Sequence, residues 1–431
     1  MELIIHRGTK EIGGSCVELI SGKSRIIVDV GMPLVNDKKE PFDSRLLKDK
    51  SLDDLKKLKL LPSVSGLYTD ESRAIDAVLI SHSHLDHYGF LKYINPNIPI
   101  YMSEGAKQLI KISDIFTPNK IGPINPMVLE KDKQVKIGNF LITPYLVDHS
   151  AFDARAFLIE ADSKRLFYSG DFRGHGRKNV LFKEMIDNPP EDIDCLLMEG
   201  SMLGRSEQVY ENEEKVQNKI SKILRKHKNI TFLFTSTQNI DRLVSAYKAC
   251  LRTDSILVID IYTAFVLDNL RKVSVNIPQF NWKNIRIKFL KNHADAMADS
   301  GHGDLLITYN RRKIDMIEIN KNKNKILMMA RDNSVFPHIV KNIDNIEGAT
   351  IVYSLWEGYL TDKFKNYCKE KGITIEQVHT SGHAIVEDLK TFAEALNPKT
   401  LIPIHTFEGD SYPELFKNTT ILEDGKIFEV N

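Results

Sequence analysis

The sequence predicts an α/β chain with two cores, one layered and strand-rich, the other a parallel α/β unit inserted into it. Three observations lead there. Short strand-forming runs separated by turn residues fill the chain to about residue 169; from about Glu211 helical and strand periods alternate; near Ile375 short strand–turn–helix pieces return. The implied division is 1–204 for the first part of the core, 205–370 for the insertion and 371–431 for the rest of the core. A chain of 431 residues with 42% hydrophobic content can bury two domain-sized cores.

Leu3–His6, Ser15–Ile20 and Ile26–Asp29 read as strands, with turn signals at Gly13-Gly14 and Ser21-Gly22. Lys38 to Ser72 is polar and punctuated by Pro41, Pro62 and Gly66, predicting short helices and a loop near a site entrance. Ala77–Ile80 is a short buried strand that runs straight into Ser-His-Ser-His-Leu-Asp-His. Further strands are expected at Ile98–Met102, Gln134–Ile137, Phe140–Val147, Ala156–Glu160 and Arg165–Ser169. In the second texture, Glu213–His227 and Ile240–Leu251 have helical spacing, while Thr231–Thr235, Ile256–Asp260, Ile326–Ala330 and Thr350–Ser354 have that of buried strands. Such alternation implies a parallel sheet, distinct from the antiparallel opening.

A net charge of +1 with 27% charged residues does not advertise a polyanion partner. Residues 271–325 nevertheless hold twelve Lys/Arg, among them Arg271, Lys272, Arg286, Lys288, Arg311, Arg312 and Lys313, against five Asp/Glu. A solvated basic face and a polyanion track explain that stretch equally well. Cys16, Cys195, Cys250 and Cys368 lie far apart without a CxxC pair, the pattern of reduced, buried thiols. The first residues carry charges where a signal peptide needs an apolar core, and the most apolar run, Ser255–Phe265, is interrupted by Asp260. A cytoplasmic protein without membrane attachment is expected.

His82, His84, Asp86 and His87 concentrate three imidazoles and a carboxylate in six residues at a strand end. A lone histidine on an apolar face is usually a satisfied core residue. Packing gives no reason to gather four such groups, and this donor set suits zinc or a similar transition ion.

The pattern HxHxDH resembles the signature of the metallo-β-lactamase superfamily. That resemblance implies an αββα sandwich in which His82 and His84 serve a first metal, and Asp86 and His87 a second. It assigns His149 in LVDHS as the third histidine of the first metal and Asp171 in YSGDFRG as a bridging carboxylate. Asp29, ending IIVD, would be the outer carboxylate that steadies a ligand. The cofactors implied are two divalent metal ions, zinc foremost, with manganese or iron as alternatives.

The second metal's last histidine has its best candidate in His405 of LIPIHTFEGD, 405 − 171 = 234 residues beyond the bridging aspartate. A metallo-β-lactamase core interrupted there resembles the β-CASP nucleases, the group of ribonuclease J and the endonuclease of pre-mRNA 3′-end processing. The resemblance matches Glu199 in CLLMEGS and His383 in VHTSGHAIVEDL to the group's own motifs. It implies that His383 donates a proton to the leaving oxygen or holds the scissile phosphate, with Glu199 tuning it, and that Asp86, Glu199 and His383 are the catalytic set. His379 and Ser381 lie beside His383, and Thr235–Arg242 resembles a phosphate-contacting loop, making Ser236, His379 and Ser381 candidate phosphate contacts. Helix capping is the alternative for Ser236 and Ser381.

The function so implied is metal-dependent RNA hydrolysis in the cleft between the two domains, with RNA and a second copy of the chain as partners. Action on DNA, or on a small ester or thioester, is the alternative, as is a catalytically silent scaffold, which should have lost ligands. Two departures from ribonuclease J bear on the mode of cutting: only 26 residues follow His405, so its further C-terminal domain is not expected, and His405 is followed by Thr-Phe-Glu-Gly-Asp rather than Gly-Glu. Exonuclease and endonuclease action both stay open.

Overall fold

The structure, a computed structural model, describes residues 1–36, 39–205, 211–226 and 228–431. They divide into two compact units, one within Met1–Asp114, Pro118–Gln208 and Gly382–Asn431, the other within Ile115–Thr117 and Val209–Ser381.

The first unit holds two sheets. One runs in the order Ile427–Glu429, Glu2–Arg7, Cys16–Ser21, Ser24–Val28, Ala77–Leu79, Ile100–Met102, Met127–Val128. Its early pairs are antiparallel, and it turns parallel where Ser24–Val28 meets Ala77–Leu79. The other runs Thr400–Ile404, Cys195–Glu199, Lys164–Tyr168, Arg155–Ala161, Phe140–Leu146, Val135–Ile137. Side chains alternate along each strand. Leu3, Ile5, Val17, Leu19, Ile26 and Val28 thus share a buried cluster with Phe140, Ile142, Phe157, Ile159, Leu166 and Leu197 of the second sheet. The two sheets therefore stack face to face. Outside the first, Cys16, Ile27 and Val78 pack with Ala106 and Ile110 of the helix Glu104–Phe116. Outside the second, Leu196 and Phe167 pack with Met185 of Asn179–Asp187 and Leu389 and Phe392 of Val386–Leu396. The result is an αββα sandwich, and every metal-ligand candidate sits past the carboxyl end of a strand or in the loop that follows one.

In the second unit seven strands, all parallel, run Lys313–Ile314, Ile285–Lys288, Ile256–Asp260, Ile326–Ala330, Thr231–Phe234, Thr350–Tyr353, Thr374–Gln377. The central strands are mostly apolar and buried along nearly their whole length, the pattern of a parallel sheet covered on both faces. The apolar run Ser255–Phe265 divides at Asp260, whose carboxylate accepts the Thr263 N–H at 2.8 Å and caps the helix Ile261–Leu270.

Two expectations change. Thr374–Gln377 pairs parallel with Thr350–Tyr353, so the inserted sheet extends past residue 370 and the compact division falls after Ser381. Three of the four strand residues are largely solvent-facing, and an edge strand's allegiance is set by hydrogen bonds to a distant neighbour that local sequence does not carry. The basic stretch contains two strands, Ile285–Lys288 and Lys313–Ile314, where the spacing suggested none. The helix expected over Glu213–His227 spans Glu213–Lys226; His227, like Lys38 at the start of the polar stretch, lies outside the described residues. The four cysteines are free and buried. Among the described residues no helix is long and apolar enough to cross a membrane.

Candidate metal centre

The strand Ala77–Leu79 is buried along its length and delivers its chain to Ser81. The segment after it is held from beneath by Asp29, which sits in the left-handed region at φ 59°, a conformation that Asp tolerates better than most residues. One Asp29 oxygen accepts the Ser81 N–H and the other the Ser81 hydroxyl, each at 2.8 Å. The second oxygen also accepts the Tyr168 hydroxyl at 2.8 Å and lies 2.8 Å from His87 Nδ1. A carboxylate there keeps a proton on Nδ1 and turns Nε2 of His87 toward the site. Gly31 closes the arrangement: a Cβ at that position would lie 1.7 Å from the Asp86 carbonyl oxygen.

Among the described residues, three groups of side chains could each hold a metal ion, their ligand atoms within 4.8 Å of one another: His82, His84 and His149; Asp86, His87, Asp171 and His405; and His149, Asp171 and His383. Asp171 Oδ2 is the common point. It lies 3.2 Å from His87 Nε2, 3.6 Å from His82 Nε2, 3.7 Å from His405 Nε2 and 3.6 Å from His383 Nδ1. The Nε2 atoms of His82, His87 and His405 and the Oδ2 of Asp171 are buried and make no hydrogen bond. Leaving one such atom unsatisfied costs about 1–3 kcal/mol, and native proteins rarely gather four at one point without a ligand for them. The donor set therefore fits divalent metal.

Charge follows the same geometry. Burial holds His82 and His149 well below the usual imidazole range and His84 down to about 4, which keeps their lone pairs available. Burial works against the Asp171 carboxylate, but His405, His87 and His383 around it hold it ionised, well below the usual carboxylate range. His87 is also penalised by burial, yet Asp171, Asp29 and Asp86 push it well above its ordinary value.

His405 stands one residue beyond Thr400–Ile404 at φ 55°, an uncommon conformation for a residue with a side chain. Its N–H donates to the Gly8 carbonyl at 2.7 Å, and Ser15 Oγ lies 3.0 Å from its Nδ1, so Nε2 faces Asp86 and Asp171. Glu199 ends the strand Cys195–Glu199 and lies 3.1 Å from His383 Nδ1. It also accepts the Phe172 N–H at 3.0 Å and the Ser201 hydroxyl at 2.7 Å. Burial opposes charge on His383, but Glu199 and Asp171 together push it up to about 9.

The first unit thus gathers Asp29, His82, His84, Asp86, His87, His149, Asp171, Glu199, His383 and His405. The three candidate phosphate contacts belong to the second unit. Ser236 is exposed and its Oγ accepts the Gln238 N–H at 3.2 Å. The cap of the helix Ile240–Arg252 is Asn239, whose side chain accepts the Arg242 N–H, so capping is not the work of Ser236. Ser381 is buried, and Ile385 takes the N-cap position of Val386–Leu396. His379 Nδ1 lies 3.2 Å from the Ser354 carbonyl. Residues that the sequence did not single out complete the centre: Ser15, Ser81, Tyr168 and Ser201. Ser81 stands inside the histidine motif and could have been noticed there; Tyr168 is 139 residues from Asp29 and carries no local signal.

A β-lactamase superfamily domain matches residues 45–231, and a Zn-dependent metallo-hydrolase RNA specificity domain matches residues 361–411. Ribonuclease J of Helicobacter pylori strain B128 is 21% identical over 98% of this chain and 60% of its own length. An RNase J-like protein of Methanocaldococcus jannaschii is 22% identical over 72% of this chain and 69% of its own. The chain thus spans about 60% of the Helicobacter relative. A solved structure of a protein of unknown function from Enterococcus faecalis V583 superposes with a TM-score of 0.80 at 22% identity, covering 99% of each chain, and shares the fold.

Proposed function

We propose that this chain, which resembles the metallo-β-lactamase-fold β-CASP nucleases, is a metal-dependent ribonuclease. The observation that carries the reading is the convergence of unsatisfied His82, His87 and His405 nitrogens on Asp171 Oδ2. In this reading His82, His84 and His149 hold one divalent ion, Asp86, His87 and His405 hold a second, and Asp171 serves both. Zinc suits a donor set of imidazole and carboxylate; manganese and iron are the alternatives. Bound there, such ions supply Lewis acidity toward a phosphoryl group and acidify water.

The chain's own contribution is orientation and a proton. Asp29 directs His87, and Ser15 directs His405. Glu199 holds His383 by its Nδ1, and in this reading the imidazole donates a proton to the leaving oxygen or binds a phosphate oxygen. Ser236, His379 and Ser381 are retained as candidate phosphate contacts. RNA as the substrate class rests on the RNA specificity domain, whose matched residues include His379, Ser381, His383 and His405, and on the ribonuclease J relatives. A cytoplasmic setting belongs to the same reading, since four unpaired buried cysteines suit a reducing compartment.

The test is purified full-length protein with zinc or manganese on 5′-labelled RNA and DNA of one sequence, with products resolved by length. Cleavage of RNA that a chelator abolishes is expected, and the product ladder separates exonuclease from endonuclease action. Cleavage of DNA alone, or of neither, sinks the reading.

A further inference from the structure

His149 and Asp171 stand on loops that the sheet does not tie to each other. They follow the strands Phe140–Leu146 and Lys164–Tyr168, which flank Arg155–Ala161 instead of pairing. Two strand spacings, roughly 10 Å, separate those strands, and no backbone ladder fixes the distance between their ends. One backbone hydrogen bond and a side-chain bridge span this gap. Arg173, two residues past Asp171, donates through Nε to Asp148 Oδ1 at 3.1 Å, and both side chains are fully buried. Its backbone N–H donates to the Asp148 carbonyl at 2.7 Å. The other Asp148 oxygen accepts the Lys178 N–H at 2.9 Å, so one carboxylate grips the segment that follows Asp171 at two points, Arg173 and Lys178. Gly176 keeps the space clear: a Cβ there would lie 2.3 Å from Asp148 Oδ1 and 2.3 Å from Arg173 Nε.

We infer that Asp148 and Arg173 are positioning residues that set the separation of His149 from Asp171, with Gly176 as the opening that admits their contact. The inference rests on the metal reading above, because it concerns how tightly two of the assigned ligand groups are held in register. A buried ion pair adds little stability over an apolar pair of equal volume, so its value here is geometric. Partners that orient metal ligands from behind commonly change metal affinity by about 10–100-fold when removed.

The experiment measures zinc affinity of the full chain by competition with a chromophoric chelator. Arg173→Met breaks the pair by deletion, and Gly176→Ala disturbs it by intrusion while keeping both charges present. Each is expected to weaken zinc binding about 10–100-fold. Arg25→Met, which breaks the 2.6 Å Arg25–Glu18 pair of the same unit, is expected to leave zinc affinity unchanged. Arg173→Lys, which keeps charge with a single reach, should recover part of the loss. Wild-type zinc affinity in Gly176→Ala, or an equal loss in Arg25→Met, overturns the inference. Should Arg173→Met not fold, Gly176→Ala decides alone. A wild-type chain that binds no zinc, manganese or iron instead sinks the metal reading itself, a result recognisable before any variant is compared.

Discussion

His383 Nδ1 lies 3.1 Å from Glu199 Oε2, and the same nitrogen lies 3.6 Å from Asp171 Oδ2. One imidazole therefore faces both a carboxylate outside the four-ligand group and the carboxylate at its centre. His383 also belongs to a possible ligand group with His149 and Asp171, so proton donation and metal retention are separable roles for it. If it donates a proton, His383→Ala should lower turnover by about 10²–10⁴-fold while metal content stays near wild type. Elemental analysis alongside His405→Ala decides: equal metal loss in the two variants would exchange their roles.

Metal content is the second expected outcome. Protein purified without chelator should carry zinc, manganese or iron at up to two equivalents, one for the group of His82, His84 and His149 and one for that of Asp86, His87, Asp171 and His405. His84→Ala should lower that content and abolish hydrolysis, since His84 belongs to the group with His82 and His149 alone. A fully active metal-free enzyme would end the two-ion reading.

The basic stretch is testable by salt. Lys313–Ile314 is the edge strand of the inserted sheet, four pairings from Thr231–Phe234, whose end carries Ser236. Arg312 already reaches the Asn281 carbonyl, and Arg286 lies 3.8 Å from Glu318. If Arg311, Arg312 and Lys313 nonetheless contact phosphates, reversing them to Glu should weaken RNA binding and flatten a salt slope of about −0.7 per phosphate. The measurement uses metal-depleted protein, which prevents cleavage during titration. An unchanged slope assigns the stretch to a solvated face.

Acid stability should report Asp260. Burial raises its carboxyl, but Arg331 beside it, with His293 and the Thr263 hydroxyl, holds it well below the usual carboxylate range. A depressed folded value means that the contribution to stability is present in full above the unfolded pKa, about 4, shrinks below it, and is gone once pH falls through the lower folded value. Asp260→Asn should be less stable than wild type at pH 7, and the difference should shrink by pH 3. Urea midpoints at the two pH values check this; a constant difference would remove Asp260 from the acid limb.

The sequence alone determined the candidate donor set and the two-part architecture. His82, His84, Asp86 and His87 lie within six residues, on a strand end and the short helix Leu85–Tyr88 that follows it, so their convergence is a local property, and strand and helix periods are local as well. Asp171, His383 and His405 were reachable only through a resemblance, because nothing near them in the chain says that they meet. Tertiary structure alone decided which donors stand behind them. Tyr168 and Ser81 meet at Asp29 through contacts 139 and 52 residues long, and Arg173 meets Asp148 across an intervening strand. The edge strand Thr374–Gln377 joined the inserted sheet for the same reason: its backbone hydrogen-bond partner is a neighbour in space, and no property of its own four residues names it.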